Sequence, residues 1–495
     1  MIARLLVALC FAALAGRTLA ATNATQSITL RECIERALTQ NLDLQIERLN
    51  PGIAQWGVVA AQGAFDPTLT GGVNYQDATQ PLGPERAASL GLSSLNTKDL
   101  DATAGLSGLL PPGTRYNLTA FSTREAGTLT TNFVYTGTAG IALTQPLLKN
   151  FGSGATTAPI RIARKSRQIA DQNLAQQIMQ TITDTHRAYY ELVYAIENLN
   201  AAREDLDRAR ALLADNRKRL EVGTMSQLDV TQAEAGAAER EEAVIVAEQL
   251  IRTNENTLKR LITRDVTEWR DTSLLPVDHP VLEMIETDRA RSTRTALEQR
   301  PDFLAARHET ERQDILVRYN RNQLWPEIDL QGSYGLNGRS GTGFNDFVDD
   351  TATGDSPVWS VGVTATFPLG DRASRAGYRQ ARLQSDQALL SLKRLEQEII
   401  VEVDNAVAQV DTNRKRLDAT GAARRLAEES LKAEEAKLRA GSSTSFLLLQ
   451  AQSQLAAARS AEIRARSDYS ESIAALAQAD GTTLEKYNIS LDAKY

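Results

Sequence analysis

The stretch RLEVGTMSQLDV, Arg219 to Val230, has a counterpart in LRAGSSTSFLLL, Leu438 to Leu449. At an offset of 218 residues Leu220 aligns with Leu438, Gly223 with Gly441, Ser226 with Thr444 and Ala233 with Ala451. Glycine just past a last helical turn adopts the left-handed conformation that closes it, and Ser or Thr a few residues on caps the next helix. Each stretch therefore reads as the tip of a helical hairpin. The offset persists upstream, where Ala163 aligns with Ala381 and Ala170 with Ala388.

The arms of both hairpins are long. After Pro159 there is no further Pro or Gly to about Glu221, and Ala170, Leu174, Ile178, Ile182, Thr185, Tyr189, Leu192, Ile196 and Leu199 recur at steps of three or four. Some sixty residues at 1.5 Å each make a rod of roughly 90 Å. The return arm, Leu228 to Thr263, places small residues on its packing side, among them Ala233, Ala237 and Ala247 beside Ile251. Ser374 to Ala440 and Ser445 to Ala479 repeat the pair. Upstream, Thr29 to Asn41 opens with a capping Thr29 and Glu32 three residues on, predicting a short helix. The pattern continues to Gln62, and Pro51 predicts a break at Asn50.

Period two replaces period 3.6 between Phe65 and Leu148. Leu69, Val73 and Tyr75 alternate with polar or small residues, and Ala102–Leu110, Arg115–Thr123 and Phe133–Leu148 continue in that style around the turn Pro111-Pro112-Gly113. One face of Thr, Ser, Gly and Asn opposite one of Leu, Val, Ile and Tyr suits strands between lipid and water. A soluble sandwich would alternate similarly, but would seldom be framed by two long helices and preceded by an export signal. After a connector, Asp265 to Pro280, the order restarts. Ala37, Leu38, Gln40, Pro67 and Tyr75 match Ala296, Leu297, Gln299, Pro326 and Tyr334 at an offset of 259, and Gly140, Pro146 and Leu147 match Gly362, Pro368 and Leu369 at 222. The chain is a tandem duplication. The first copy has room for four strands and the second for two, leaving an extra hairpin at about 102–124 in or above the sheet.

Composition agrees with this plan. With 10 Phe and 4 Trp in 495 residues and a mean hydropathy of −0.31, the chain lacks the material for a large solid core. A net charge of −7 and a pI near 5.4 argue against nucleic acid as partner. MIARLLVALCFAALAGRTLA has a positive Arg4, an apolar run and small Thr18 and Ala20, and reads as an export signal cut after Ala20. Leu9 before Cys10 has the wrong size for lipoprotein processing. Removal of the signal leaves Cys33 alone, so neither an intramolecular disulfide nor a cysteine metal site is expected. No other stretch is long and apolar enough for a transmembrane helix, so a membrane-embedded form must be built from strands. His186, His279 and His308 lack a second ligand at i+3 or i+4, and no cofactor, metal or catalytic constellation is expected. Asn345 to Asp355 crowds aspartates into a loop whose spacing does not fit calcium, and reads as a solvated tip.

These segments resemble the TolC family of outer-membrane efflux and secretion ducts. The resemblance spans essentially the whole mature chain and is carried by GAFDPTL (Gly63 to Leu69), ALTQPLLKNFG (Ala142 to Gly152), AYYELVYAIENL (Ala188 to Leu199), VGTMSQLDV (Val222 to Val230), ALEQRPDF (Ala296 to Phe303), WPEIDLQGSYG (Trp325 to Gly335) and ATFPLGDR (Ala365 to Arg372). It implies an α+β membrane protein, an internally duplicated protomer that adds strands to a shared trimeric transmembrane β-barrel and long helices to a periplasmic α-helical barrel. On that plan, 1–20 is the signal peptide, 21–66 carries the N-terminal equatorial and ascending helices, and 67–148 is the first barrel segment with its extra hairpin. The first tunnel hairpin is 149–264 and the equatorial connector 265–285. Ascending helices of the second copy fill 286–325, its barrel segment 326–370 and its tunnel hairpin 371–480, before a tail at 481–495.

The implied activity is passive: an exit duct for small molecules or proteins in a tripartite efflux or type I secretion system, with a periplasmic adaptor, an inner-membrane transporter and outer-membrane lipid as partners. The resemblance implies no enzymatic activity. The hairpin tips, Gly223, Ser226, Asp229 and Gln232 on the first and Gly441, Thr444, Leu447 and Gln450 on the second, would form the periplasmic aperture. Family members with acidic rings carry them six and nine residues after the second glycine; here those positions are Leu447 and Gln450. Asp229, at the matching position of the first tip, reads primarily as a helix cap and alternatively as a ring of three carboxylates. Arg217, Lys218 and Arg219 are candidate adaptor contacts. The alternative to a duct is a non-conducting periplasmic scaffold of helical hairpins with a soluble β cap.

Overall fold

The computed structural model describes residues 24–280 and 285–489. The proposed signal at 1–20, with Cys10, and the last residues of the tail lie outside these. In chain order the elements are β1 (Ala24–Ile28), α1 (Leu30–Gln40), α2 (Leu42–Gln62), β2 (Thr68–Pro81), α3 (Pro84–Leu90), β3 (Ser94–Leu109), β4 (Arg115–Gly127), β5 (Thr130–Pro146), α4 (Ser153–Thr156), α5 (Ala158–Glu221), α6 (Gln227–Ile262), β6 (Thr272–Pro276), α7 (Arg289–Gln299), α8 (Pro301–Asn322), β7 (Glu327–Ser340), α9 (Phe344–Thr353), β8 (Pro357–Thr366), α10 (Arg372–Arg439), α11 (Ser445–Ala479) and α12 (Thr483–Lys486). The long helices, α5 of 64 residues and α10 of 68, are uninterrupted. Among the described residues no helix is long and apolar enough to cross a membrane.

The chain divides into two compact units. Of the described residues, one gathers those up to 50, those within 172–304 and those from 394 on; the other gathers 51–171 and 305–393. The first unit is helical, with a core built twice. In the first copy Ile28, Cys33, Ala37, Tyr189, Leu192, Leu258, Ile262 and Leu274 pack together; in the second Ala296, Ile399, Val403, Val407, Val410, Tyr469 and Leu476 do so. Ala37 and Ala296, paired by the sequence offset, are both fully buried. The residue ending each first helix is also paired: Asn41 donates through Nδ2 to the Leu261 carbonyl at 3.2 Å, and Arg300 through Nη1 to the Ala479 carbonyl at 3.0 Å. Both acceptors end a returning helix, and they are separated by the hairpin offset of 218. The duplication thus survives in hydrogen bonds made by different side chains.

α1 begins with the expected capping box, Thr29 with Glu32. β1 pairs in parallel with β6 inside the connector, strands too short to show an alternation. Tyr189 fastens this corner, its hydroxyl donating to the Ile28 carbonyl at 3.2 Å and accepting from the Asp278 amide at 3.0 Å.

The second unit holds a sheet of six antiparallel strands in the order β2-β3-β4-β5-β7-β8. This places the extra hairpin: β3 and β4 lie in the sheet, between β2 and β5. By register, Tyr75, Tyr116, Tyr135, Tyr334 and Trp359 share the face of Leu69, whereas Phe121 points to the opposite one.

Two expectations are corrected. The helix does not break at Asn50: α2 contains Pro51. Proline deprives a helix of one internal donor, and on an exposed stripe that loss leaves the neighbouring turns in place; the interruption falls at Asn41, whose backbone is extended. Nor is 345–355 an irregular tip. It is mostly α9, whose Phe344, Phe347 and Thr351 stand at i, i+3 and i+7. Phe344 and Phe347 pack against Tyr135 at ring distances of 5.7 and 6.4 Å, so the acidic residues occupy the outward face of an amphipathic helix.

Candidate functional site

The two hairpin tips are built alike because their sequences encode the same stop and start. At the first, Gly223 has φ 75°; its amide donates to the Leu220 carbonyl at 2.9 Å and the Thr224 amide to the Arg219 carbonyl at 2.9 Å. At the second, Gly441 has φ 75°, with Gly441 to Leu438 at 3.1 Å and Ser442 to Lys437 at 2.9 Å. This is the pattern of paired backbone bonds that satisfies the last carbonyls of a helix. The next helix starts at once: the Ser226 hydroxyl accepts from the Asp229 amide at 3.2 Å, and that of Thr444 from the Leu447 amide at 3.4 Å.

The tips differ in one chemical respect. Asp229 completes a capping box, its Oδ2 accepting from the Ser226 amide at 3.3 Å and from the Ser226 hydroxyl at 2.6 Å. Leu447, its counterpart, cannot reciprocate. Gln450 is exposed and Gln232 partly so. Arg217 pairs with Glu234 at 2.6 Å across the first hairpin, Arg219 with Asp215 at 2.9 Å along the helix, and Lys218 is exposed.

The tips also pack side by side. Leu212 of α5, Leu431 and Leu438 of α10, and Leu448, Ala451 and Leu455 of α11 form one apolar cluster. Within it Asn216 and Ser445, at 0% and 1% exposure, join the two hairpins: Asn216 Nδ2 donates to Ser445 Oγ at 3.2 Å. Above it Gly236 lets α6 approach α11, since a Cβ there would sit 3.2 Å from Leu449 Cδ2. Asn216 and Ser445 are absent from the sequence-derived set. The available signal was an asparagine following Leu206, Ala209 and Leu212 at seam spacing.

A second polar knot lies between the copies. Arg464 pairs with Glu191 at 2.8 Å and Asp468 at 2.8 Å, and stacks over Tyr194. Beside it burial, and then the carboxylate of Glu191, push the Glu471 carboxyl up to about 7. Burial also holds His186 far below its ordinary value, at about 3, so its ring is neutral at physiological pH. Neither group belongs to a constellation capable of bond chemistry. Among the described residues no group of His, Cys, Asp and Glu is placed to hold a metal ion.

The family model for outer membrane efflux protein matches residues 33–264 and 293–482. The chain belongs to the outer membrane efflux protein family. Among curated relatives, outer membrane efflux protein BepC of Brucella suis is 25% identical over 432 residues, covering 86% of this chain and 87% of that protein. Outer membrane protein TolC of Vibrio cholerae is 24% identical over 363 residues, 70% of this chain and 77% of that one. Among solved structures the Campylobacter jejuni CmeC outer membrane channel superposes with a TM-score of 0.68 at 18% identity, over 94% of this chain and 90% of that one. VceC of Vibrio cholerae gives 0.67 at 18%, over 91% and 96%. As an outer membrane efflux family protein the chain resides in the outer membrane and acts as an exit duct, and its fold is that of the duplicated TolC-like channels. The family is one of channels rather than enzymes.

Proposed function

We propose that three copies of this chain close one barrel and one helical tunnel, forming the passive exit duct of a tripartite system that an adaptor and an energised inner-membrane transporter complete. The observation that carries this reading is the sheet. Among the described residues β2 and β8 end the six-stranded order and have one strand neighbour each, and in lipid every unpaired backbone group costs several kcal/mol. Only further copies can satisfy β2 and β8. A second feature supports lateral association: Leu42, Ile46, Leu49, Ile53 and Trp56 make an apolar stripe on α2, each at least half exposed in the single chain. In this arrangement the paired tips form the periplasmic aperture, and Arg217, Lys218 and Arg219 lie where an adaptor would dock.

The test is reconstitution of the purified full-length protein into planar bilayers, with native mass spectrometry of the detergent-extracted form. Trimers and single-channel currents are expected. A chain that extracts without detergent and is silent in bilayers would leave the scaffold with a soluble β cap.

A further inference from the structure

The hairpin β3–β4 is written in the same two-faced code as the strands that flank it. Following the pairing from edge to edge, Leu69, Leu106, Leu118, Ile141, Tyr334 and Trp359 stand in one row on one face. One residue along, Thr68, Ser107, Asn117, Ala142, Ser333 and Ser360 stand in a row on the other. A hairpin folded into the lumen as a plug would meet water on both sides and need no apolar row. A hairpin standing above the rim would not continue the rows of β2 and β5 in register. The inserted strands have the chemistry of a wall between lipid and water.

The hairpin is also tied into the base of the sheet, where strands give way to helices. The Gly152 amide donates to the Pro112 carbonyl at 3.0 Å, Gln145 Nε2 reaches the same carbonyl at 3.4 Å, and Thr114 bonds Gln145. Gly113, at φ 95°, passes so close to the chain entering α4 that a Cβ would lie 2.5 Å from the Asn150 carbonyl oxygen. The turn is fitted to one place.

We infer that β3–β4 sets the calibre of the outer-membrane pore: resting on the three-copy reading above, six strands from each copy close a barrel of eighteen. With strands ~4.8 Å apart and tilted by about 40°, the backbone diameter is about 36 Å, against about 24 Å for the twelve strands left without the hairpin. Barrels of this strand number enclose an open aqueous channel. The outer mouth of this duct is then half as wide again as its remaining strands would make it, and passes bulky hydrated cargo without selecting by size. Selection by size falls to the helical part.

Cryo-electron microscopy of the full-length protein in lipid nanodiscs tests this directly. Three copies enclosing eighteen strands, with β8 of each against β2 of the next, are expected. A trimer whose wall has twelve strands, with 94–127 outside it, overturns the inference and leaves the duct reading intact. A closed barrel of another copy number, or no barrel, overturns the duct reading itself. As a second measurement, polyethylene glycols of graded size are added to the extracellular side of bilayers holding the wild type or a variant lacking 94–127. The deletion leaves β2 and β5 free to pair, and its size cut-off should fall by about a third in polymer radius, following the diameter ratio. Equal cut-offs in the two proteins sink the proposal.

Discussion

Asn216 and Ser445 are separated by 229 residues of chain, yet the amide of one donates to the hydroxyl of the other at 3.2 Å inside the leucine cluster of the hairpin tips. Each is the other's anchor across two hairpins. A buried polar group stripped of its partner loses about 1–3 kcal/mol. Asn216→Ala is therefore expected to loosen the tips by that amount, seen as a roughly 5- to 150-fold loss of amide protection at residues 444–448 in hydrogen exchange. Unchanged protection there would show that the leucines alone hold the hairpins together.

Glycines with positive φ should not be equally sensitive. Gly441, at φ 75° with open space where a Cβ would go, faces a conformational cost alone when changed to Ala, about 1–2 kcal/mol. Gly113→Ala adds a clash with backbone at 2.5 Å and should be clearly the worse tolerated. Thermal unfolding of the two variants gives the order; the reverse order would refute the reading of the β3–β4 turn.

Asp229→Ala removes one half of a capping box and should cost about 1 kcal/mol of local helix stability. Because the carboxylate is engaged by Ser226, the block of single-channel currents by divalent cations is expected to stay unchanged. Loss of block in the variant would establish the ring of three carboxylates instead.

Stability near Glu471 should depend on pH. The unfolded chain ionises near the ordinary glutamate value of 4.5, the folded chain only near 7, so the fold favours the protonated acid. The penalty for ionising it is absent below pH 4.5, grows from there to 7 and is complete above. Glu471→Gln should leave stability unchanged at pH 4.5 and raise it by roughly 2–3 kcal/mol at pH 8. Denaturant midpoints at the two pH values measure this, and an equal effect at both would exclude the linkage.

The duplication, the long helices and the two tips were legible because each has a local cause. Gly223 and Gly441 stop a helix whatever surrounds them, and Ser226 and Thr444 start the next with their own hydroxyls. Strands β3 and β4 were legible as strands for the same reason, since alternation needs only a wet side and a dry one. Pro51 was not legible in the same way, because its local penalty points to a break that the surrounding helix absorbs. Within 345–355 the acidic residues obscured an apolar spacing that acquires meaning only against Tyr135. At the tips the acid-capped first hairpin could be read from Asp229, but not its neighbour's serine beside Asn216.

What the sequence determined alone was therefore the list of parts and their order, because capping, helix termination and binary patterning act within a few residues. Tertiary structure decided which parts touch: that β3–β4 stands between β2 and β5, that Asn216 finds Ser445, and that Asn41 and Arg300 do the same task in the two copies. Strand neighbours and buried partners far apart in the chain are chosen by packing, and packing is a property of surfaces that do not exist until the elements meet.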